Sequence, residues 1–406
     1  MIVNDILKVL YAPHRAFKEI IQNPRYIGAF VVLILFVAAQ TGFAYTYVSK
    51  SYSEQTMPVG DLGDVWTENA TLWRASLGVN ITNNYADFVN GTPTFIPTLL
   101  FRTGFDYFGN SSIEFAVNDR NNIQMALSDL GGSVNCGADG FKNISVRIKL
   151  ISPNVKPENV SLYLYSLSDS NFFYYDLTKN FSSSAVNVWN NITLPVGSGD
   201  WVSSNSVASW ENITSLKMDF AWPTNSSIDL RVDGLFFRGI FKNPVEIYGS
   251  ETVIFSIALS VAMQFVLQWL LLVGLMYVII KGLKGNVLWK PLMVAVGFGL
   301  VTMVIEAVIL VVTYMTLPNL YHPLEVVAGV PVEIDVAYQV ISNATAFVSL
   351  VAGIISIAVY VWTIALGAVI TRTITAFGWL KSILISAAAF VITVEFLLPL
   401  LTSLLG

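Results

Sequence analysis

Two periodicities divide this chain. Apolar runs of about 20 residues, the length that crosses a bilayer's hydrocarbon core, occupy 27–48, 253–280, 292–317, 345–371 and 381–401. Between the first and second run the pattern becomes strict alternation, the mark of half-buried strands. In the run Asn143 to Ile151, Ile144, Val146, Ile148 and Leu150 share one face while Ser145, Arg147 and Lys149 share the other. Similar runs lie at 112–117, 160–167, 215–222 and 227–237, separated by Gly, Asn, Ser and Pro. The pattern predicts a membrane α-helical bundle of five transmembrane helices, with an extracytoplasmic antiparallel β-sandwich, jelly-roll-like, at 104–240 between helices one and two. Residues 49–103 alternate weakly and read as a stalk or irregular outer segment.

Composition agrees: 54% of residues are hydrophobic and 12% charged, with mean hydropathy +0.62, against about 25% charged in soluble domains. The first run follows a polar, amphipathic segment (1–26) with no small-residue cleavage site, so it reads as a retained helix. Within 1–26, Asn4 or Asp5 caps a first short helix and Pro13 starts a second. That segment is expected either to lie along the bilayer interface or to fold against the bundle.

Lys8, Arg15, Lys18 and Arg25 precede span one; Lys281, Lys284 and Lys290 join spans two and three; Arg372 and Lys381 join spans four and five. Positive residues stay cytoplasmic, so the N-terminus is expected inside and the sandwich and C-terminus outside, in a multi-pass protein of the cell (plasma) membrane. The loop 318–344 holds Glu325, Glu333 and Asp335 without Lys or Arg and reads as a solvated outer acidic loop. Candidate N-glycosylation sequons begin at Asn69, Asn80, Asn90, Asn110, Asn143, Asn159, Asn180, Asn191, Asn212, Asn225 and Asn343, all on the expected outer side. Cys136 is the sole cysteine, so no intrachain disulfide staples the outer domain; that suits a prokaryotic, especially archaeal, surface.

A rise of 1.5 Å per residue sets Gln40, Gln264, Glu306, Ser356 and Glu395 roughly 21–26 Å from the cytoplasmic charges, one from each span. An isolated carboxylate is costly at that depth, so these residues are expected to form an intramembrane polar layer. Such a layer serves either as a hydrogen-bond network fixing helix register or as a proton, cation or headgroup site. In the outer domain Tyr174, Tyr175, Trp189, Trp201, Trp210 and Trp222 are candidates for a ligand surface, offering an apolar ring with a polar edge. With two histidines, His14 and His322, no His-rich metal site or conventional Ser-His-Asp triad assembles on one side without His322. The His322, Glu325, Glu333 and Asp335 set is a weak cation candidate. Walker, CxxC and dinucleotide signatures are absent, and a net charge of −5 gives no basic nucleic-acid footprint. No enzyme is indicated, and no cofactor beyond a structural calcium ion.

Two resemblances follow from residues already named. The strands near 105–117 and 227–239 resemble the framing strands of carbohydrate-binding modules; this implies sugar binding and a structural calcium near the first and last strands, for which Asp106 and Asp233 match by position. Ala12-Pro13, Ala16-Phe17, Ile20 and Pro24, with Gly282, Lys284-Gly285 and Pro291, resemble prokaryotic members of the Yip (Ypt/Rab-interacting) membrane-domain family, which implies a five-helix domain with a cytosolic N-terminus. The chain lacks that family's tyrosine-glycine-proline cytosolic motif, so Rab binding is not carried over. The expected partners are the lipid bilayer, a glycan, envelope or protein ligand of the sandwich, and a membrane homo- or hetero-oligomer. The leading expectation is a non-enzymatic surface protein; the alternative is a transporter or sensor coupling ectodomain binding to the site around Glu306 and Glu395.

Overall fold

The computed structural model describes residues 2–59, 63–91, 107–183, 185–197, 199–330 and 333–405. They fall into two compact units: a helical unit of Met1–Lys50, Asn243–Asn319 and Ser342–Gly406, and a β unit of Ser51–Lys242 with Leu320–Ile341.

The helical unit begins with α1 (Ile2–Tyr11) and α2 (Pro13–Gln22). Pro13 sits at the first helical position of α2, where its missing N–H costs nothing. The pair is clasped by Lys8 and Glu19, 2.8 Å apart. Then follows α3 (Tyr26–Ser49). Among the described residues five helices are long and apolar enough to cross a membrane: Tyr26–Ser49, Ser250–Gly282, Trp289–Met315, Glu333–Thr375 and Trp379–Leu401. Lipid gives apolar helices little drive to associate, so close backbone approach and hydroxyl bonds must join them. A side chain at Gly28 would fall inside the Phe298 ring, and one at Gly297 would meet Ala29 and Trp269. Thr302 and Thr363 share a buried 2.7 Å hydroxyl bond, and Ser386 donates to the Ile364 carbonyl at 2.8 Å.

The β unit contains β1 (Ser51–Met57), β2 (Trp73–Ala75), β3 (Asn80–Asn84), β4 (Ser112–Leu127), β5 (Asn143–Ser152), β6 (Asn159–Ser166), β7 (Ser168–Asp176), a short α4 (Thr178–Ser183), β8 (Asn190–Pro195), β9 (Val202–Ser203) and β10 (Ile213–Lys242). Two long strands organise it. The first half of β10 pairs with β6 and with the second half of β4, while its second half pairs with β5 and with the first half of β4. Register slips between Ala221 and Ser226, close to Asp119 with its φ of 55°, mark where both strands turn from one layer into the other. One layer runs β2-β4-β10-β6-β7-β9 and the other β3-β4-β10-β5-β8. Between them the alternating apolar positions meet: Phe115, Ile123, Ile148, Leu164, Phe220 and Leu230 are fully buried.

The segment read as a stalk is not one where it is described. β1 pairs with the end of β10, and β2 and β3 flank β4. Its alternation is weak because β1 buries short polar side chains, Ser51, Ser53 and Thr56, together with Glu54. Nor is 318–344 simply a solvated loop. Leu320–His322 forms β11, parallel to β1, and a short helix, Leu324–Val327, follows. Leu324 and Val327 pack with Phe108 and Phe236 in a second apolar cluster. Arg238 explains the return of this segment: it donates to Glu54 at 2.7 and 2.9 Å and to Glu325 at 2.5 and 2.8 Å. Nearby, the fully buried Arg147 reaches Glu333 at 2.7 Å and lies 4.5 Å from the Phe108 ring.

Arg238→Met is expected to strand two buried carboxylates against each other. The cost should be about 3–5 kcal/mol, read as a lower melting temperature of the full chain in detergent, with new protease cleavage between residues 320 and 330.

Candidate functional site

Strands β6 and β7 run antiparallel in a register that sets Tyr163 opposite Tyr174 and Tyr165 opposite Phe172. The intervening Leu162 and Leu164 point into the core, so these four rings share the outer face of the layer. They are half-buried and in mutual contact. Tyr163 lies 5.2 Å from Tyr174, 5.6 Å from Phe172 and 6.4 Å from Tyr165, ring centre to ring centre. On the next strand Lys217 is paired with Tyr163, its ammonium 4.4 Å from the ring centre. Lys217 also bridges to Asp219 at 3.0 Å. Burial is the largest single influence and works against the Lys217 charge, but the hydrogen bond and charge of Asp219, with the neighbouring phenols, together outweigh it and raise the ammonium's pKa. One Asp219 oxygen, Oδ1, is buried without a hydrogen-bond partner. The face therefore joins flat apolar surface to a cation and an anion, each side chain about a quarter exposed.

The structure sorts the expected aromatics. Trp201 and Trp222 are core residues, 7% and 3% exposed, whose indole N–H groups donate to the carbonyls of Pro195 and Val155. Trp210 stacks on Phe173 at 3.8 Å, Tyr175 packs toward Trp201, and Trp189 packs against the second cluster. Only Tyr174 of the six stands in the outer cluster. Sequence reasoning missed Tyr163, Tyr165 and Phe172, although alternation with Leu162 and Leu164 held the signal.

The polar residues of the helical unit are brought together only in part. Glu306 accepts a 2.6 Å hydrogen bond from Ser356. Gln264 lines a cleft of about 290 Å³ with Gln268, Met303 and Tyr360. Gln268 is nearly buried and donates to the Met303 sulfur at 3.3 Å. Gln40 is half-buried in α3, and Glu395 is exposed on a π-helical turn, Ile392–Leu397. The loop residues do not converge either. Glu325 and Glu333 are arginine partners, Asp335 is exposed, and His322 is buried, which pushes its imidazole down to about 4. All eleven sequon asparagines are exposed or half-buried. Cys136 is buried, and that burial pushes its thiol up to about 12.

Of the calcium candidates, Asp106 lies outside the described residues. Asp233 is fully buried beside Asp64. Its two oxygens accept from the backbone N–H groups of Val89, at 2.6 Å, and Gly234, at 2.7 Å. Thr67 donates to Asp64 at 2.9 Å, leaving one open oxygen, Asp64 Oδ1. Calcium takes six to eight oxygens. No group of three or more His, Cys, Asp or Glu gathers among the described residues, so this pair does not fit the ion.

No family model matches the chain, and no curated protein matches it. Among solved structures, the family 11 carbohydrate-binding module from Clostridium thermocellum, in complex with a β-1,3-1,4-mixed-linked tetrasaccharide, is 14% identical. The match covers 45% of this chain and 94% of the module, with a TM-score of 0.27. A β-1,2-glucanase from Parabacteroides distasonis is 13% identical over 42% of this chain and 24% of its own, TM-score 0.27. An exo-β-agarase is 8% identical over 45% and 25%, TM-score 0.28. Likenesses this slight leave the site to be read from its own residues.

The Asp64 and Asp233 pair sets a pH dependence. Burial, followed by the neighbouring carboxylate, raises Asp233, and burial raises Asp64 from 3.8 to about 6. A raised carboxyl favours folding while protonated, so the pair's contribution is full below about pH 4 and is lost as pH rises through 6. Asp64→Asn, which keeps an acceptor for Thr67 and gains a donor toward Asp233, should stabilise the full chain on the order of 2 kcal/mol at pH 8. The gain should shrink toward pH 5, in melting curves taken at both pH values.

Proposed function

We propose that this chain is a non-catalytic, multi-pass protein of the cell membrane, its helical unit of Yip-like build, that displays the β unit outside the cell to bind polysaccharide. The observation that carries the reading is the outer cluster of Tyr163, Tyr165, Phe172 and Tyr174 beside Lys217 and Asp219. A pyranose ring presents an apolar C–H face and a rim of hydroxyls. The tyrosine and phenylalanine rings suit the first. Lys217, Asp219 and the tyrosine hydroxyls suit the second, as donors and acceptors beside the rings. The sheet is broad at this point, with β7, β6, β10 and β4 side by side, which favours an extended chain over a single sugar.

The positive residues bordering the helices and the exposed sequons support the outward orientation. The helical unit acts as an anchor in this reading, with Glu306 and Ser356 as one of its interhelical bonds.

Since the β unit includes Leu320–Ile341, the binding test uses the full chain in detergent against a panel of soluble β-glucans, galactans and mannans. Binding to at least one is expected, weakened roughly tenfold or more by Tyr163→Ala, the loss of a central aromatic anchor. Trp189→Ala, outside the cluster, should leave affinity within about twofold. Absence of binding across the panel, or equal affinity in Tyr163→Ala, would overturn the reading.

A further inference from the structure

A cavity of about 610 Å³ opens where α1, α2, the start of α3 and the helix Trp289–Gly299 meet. Its wall is divided in two. One side is polar, with Asp5, Lys8, Glu19 and Arg25; the other is apolar, with Ile20, Ile27, Gly28 and Phe298. The apolar side is fixed by packing, because any side chain on Gly28 would occupy the space of the Phe298 ring. On the polar side Lys8 is already matched by Glu19 at 2.8 Å. Arg25 is exposed and makes no ion pair among the described residues, and neither does Asp5. Arg25 and Asp5, neither held in a direct ion pair, therefore line the same space, with Asp5 near enough to Lys8 to favour its charge.

We propose that this cavity binds a zwitterionic amphiphile whose headgroup joins a phosphate to a primary amine. The guanidinium of Arg25 offers planar, paired donors to phosphate oxygens. The carboxylate of Asp5 accepts from an ammonium. With Lys8 and Glu19 neutralising each other, a purely anionic headgroup would gain Arg25 but meet Asp5, and a purely cationic one would gain Asp5 but meet Arg25. Only a headgroup carrying both charges satisfies both sides. The apolar wall selects among zwitterions: a water-soluble phospho-amine leaves Ile27 and Phe298 uncovered, whereas an acyl or isoprenoid stem covers them. Position agrees, since Arg25 immediately precedes the apolar helix Tyr26–Ser49, where a spanning helix meets the headgroup layer. The inference rests on the reading of the long apolar helices as membrane spans, which retention of the chain in the pellet after alkaline extraction of membranes tests separately.

Purified full chain in detergent, titrated in native mass spectrometry with short-chain phosphatidylethanolamine, phosphatidylglycerol and water-soluble phosphoethanolamine, decides it. Phosphatidylethanolamine should bind at least tenfold tighter than either of the others. Arg25→Gln and Asp5→Asn should each weaken it tenfold or more, while Lys18→Gln, an exposed lysine outside the cavity, should change nothing. Arg25 is exposed and Asp5 half-buried, so unchanged melting temperatures are expected for both variants. Equal binding of phosphatidylglycerol would overturn the headgroup assignment. Phosphoethanolamine bound as tightly as the lipid would overturn the amphiphile. Full affinity in both pocket variants would overturn the site.

Discussion

The Arg238 guanidinium, held between Glu54 and Glu325, is the interaction on which the shape of the β unit depends. The three residues come from β1, β10 and the segment after β11, 184 and 87 positions from Arg238 in the chain. Removing two carboxylates and a guanidinium from water is costly, and the cost is recovered only when the geometry and remaining hydrogen bonds are good. Here both acids receive two N–H bonds from the same guanidinium, and Glu54 also accepts the Leu324 backbone N–H at 2.7 Å. Burial pushes the Glu325 carboxyl up, but Arg238 overcomes it and holds that carboxyl below its ordinary range. Where a purely apolar contact tolerates sliding, this one fixes which residue of each segment meets which. It therefore sets the register of β11 on β1 and seats Leu324 and Val327 on the second apolar cluster.

That anchoring follows from the two long strands. Because β4 and β10 pass through both layers, the outer faces of the two layers have different neighbours. The outer face around β5 is covered, so Ser145 and Arg147 are buried even though they alternate out of the core. The outer face around β6 and β7 keeps half-exposed rings. One covered face and one open face distribute the roles: ion pairs and apolar cover stabilise the first, and binding falls to the second.

How far the sequence revealed this depended on the range of each interaction. Alternation is local, and it located the strands around β5, β6 and β10 and the inward set Ile144, Val146, Ile148 and Leu150. The apolar runs, equally local, marked the five long helices. What stayed hidden is long-range. Glu325 and Glu333 read as solvated acids because nothing near them in the chain is basic; their arginines lie 87 and 186 positions away. β1 was illegible because its buried side chains are all polar: two serines and a threonine, small enough for a tight strand environment, and Glu54, whose arginine is distant in the chain. Glu306 and Ser356, set at one height by residue rise, are joined by a hydrogen bond, yet height along a helix does not give rotation about it, so it does not separate half-buried Glu306 from exposed Glu395.

The division of aromatic labour has its own physical logic. An indole carries a single donor and no acceptor, so a tryptophan is comfortable inside a sandwich once its N–H finds one carbonyl, as Trp73, Trp201 and Trp222 do. A phenol hydroxyl donates and accepts, and a buried carbonyl satisfies only half of it. Tyrosine is thus better placed where the ring is covered and the hydroxyl reaches water or a ligand. Trp201 and Trp222 look like a sugar platform by residue type alone, but that chemistry sends them inward. Tyr163, Tyr165 and Tyr174 stay at the surface of the open face, beside an ion pair whose members are about three-quarters buried, Lys217 at 26% and Asp219 at 24% exposure. Held largely out of water beside stacked rings, this pair leaves about a quarter of each side chain at the surface, and a ligand rich in hydroxyls can meet that part without displacing the apolar contact.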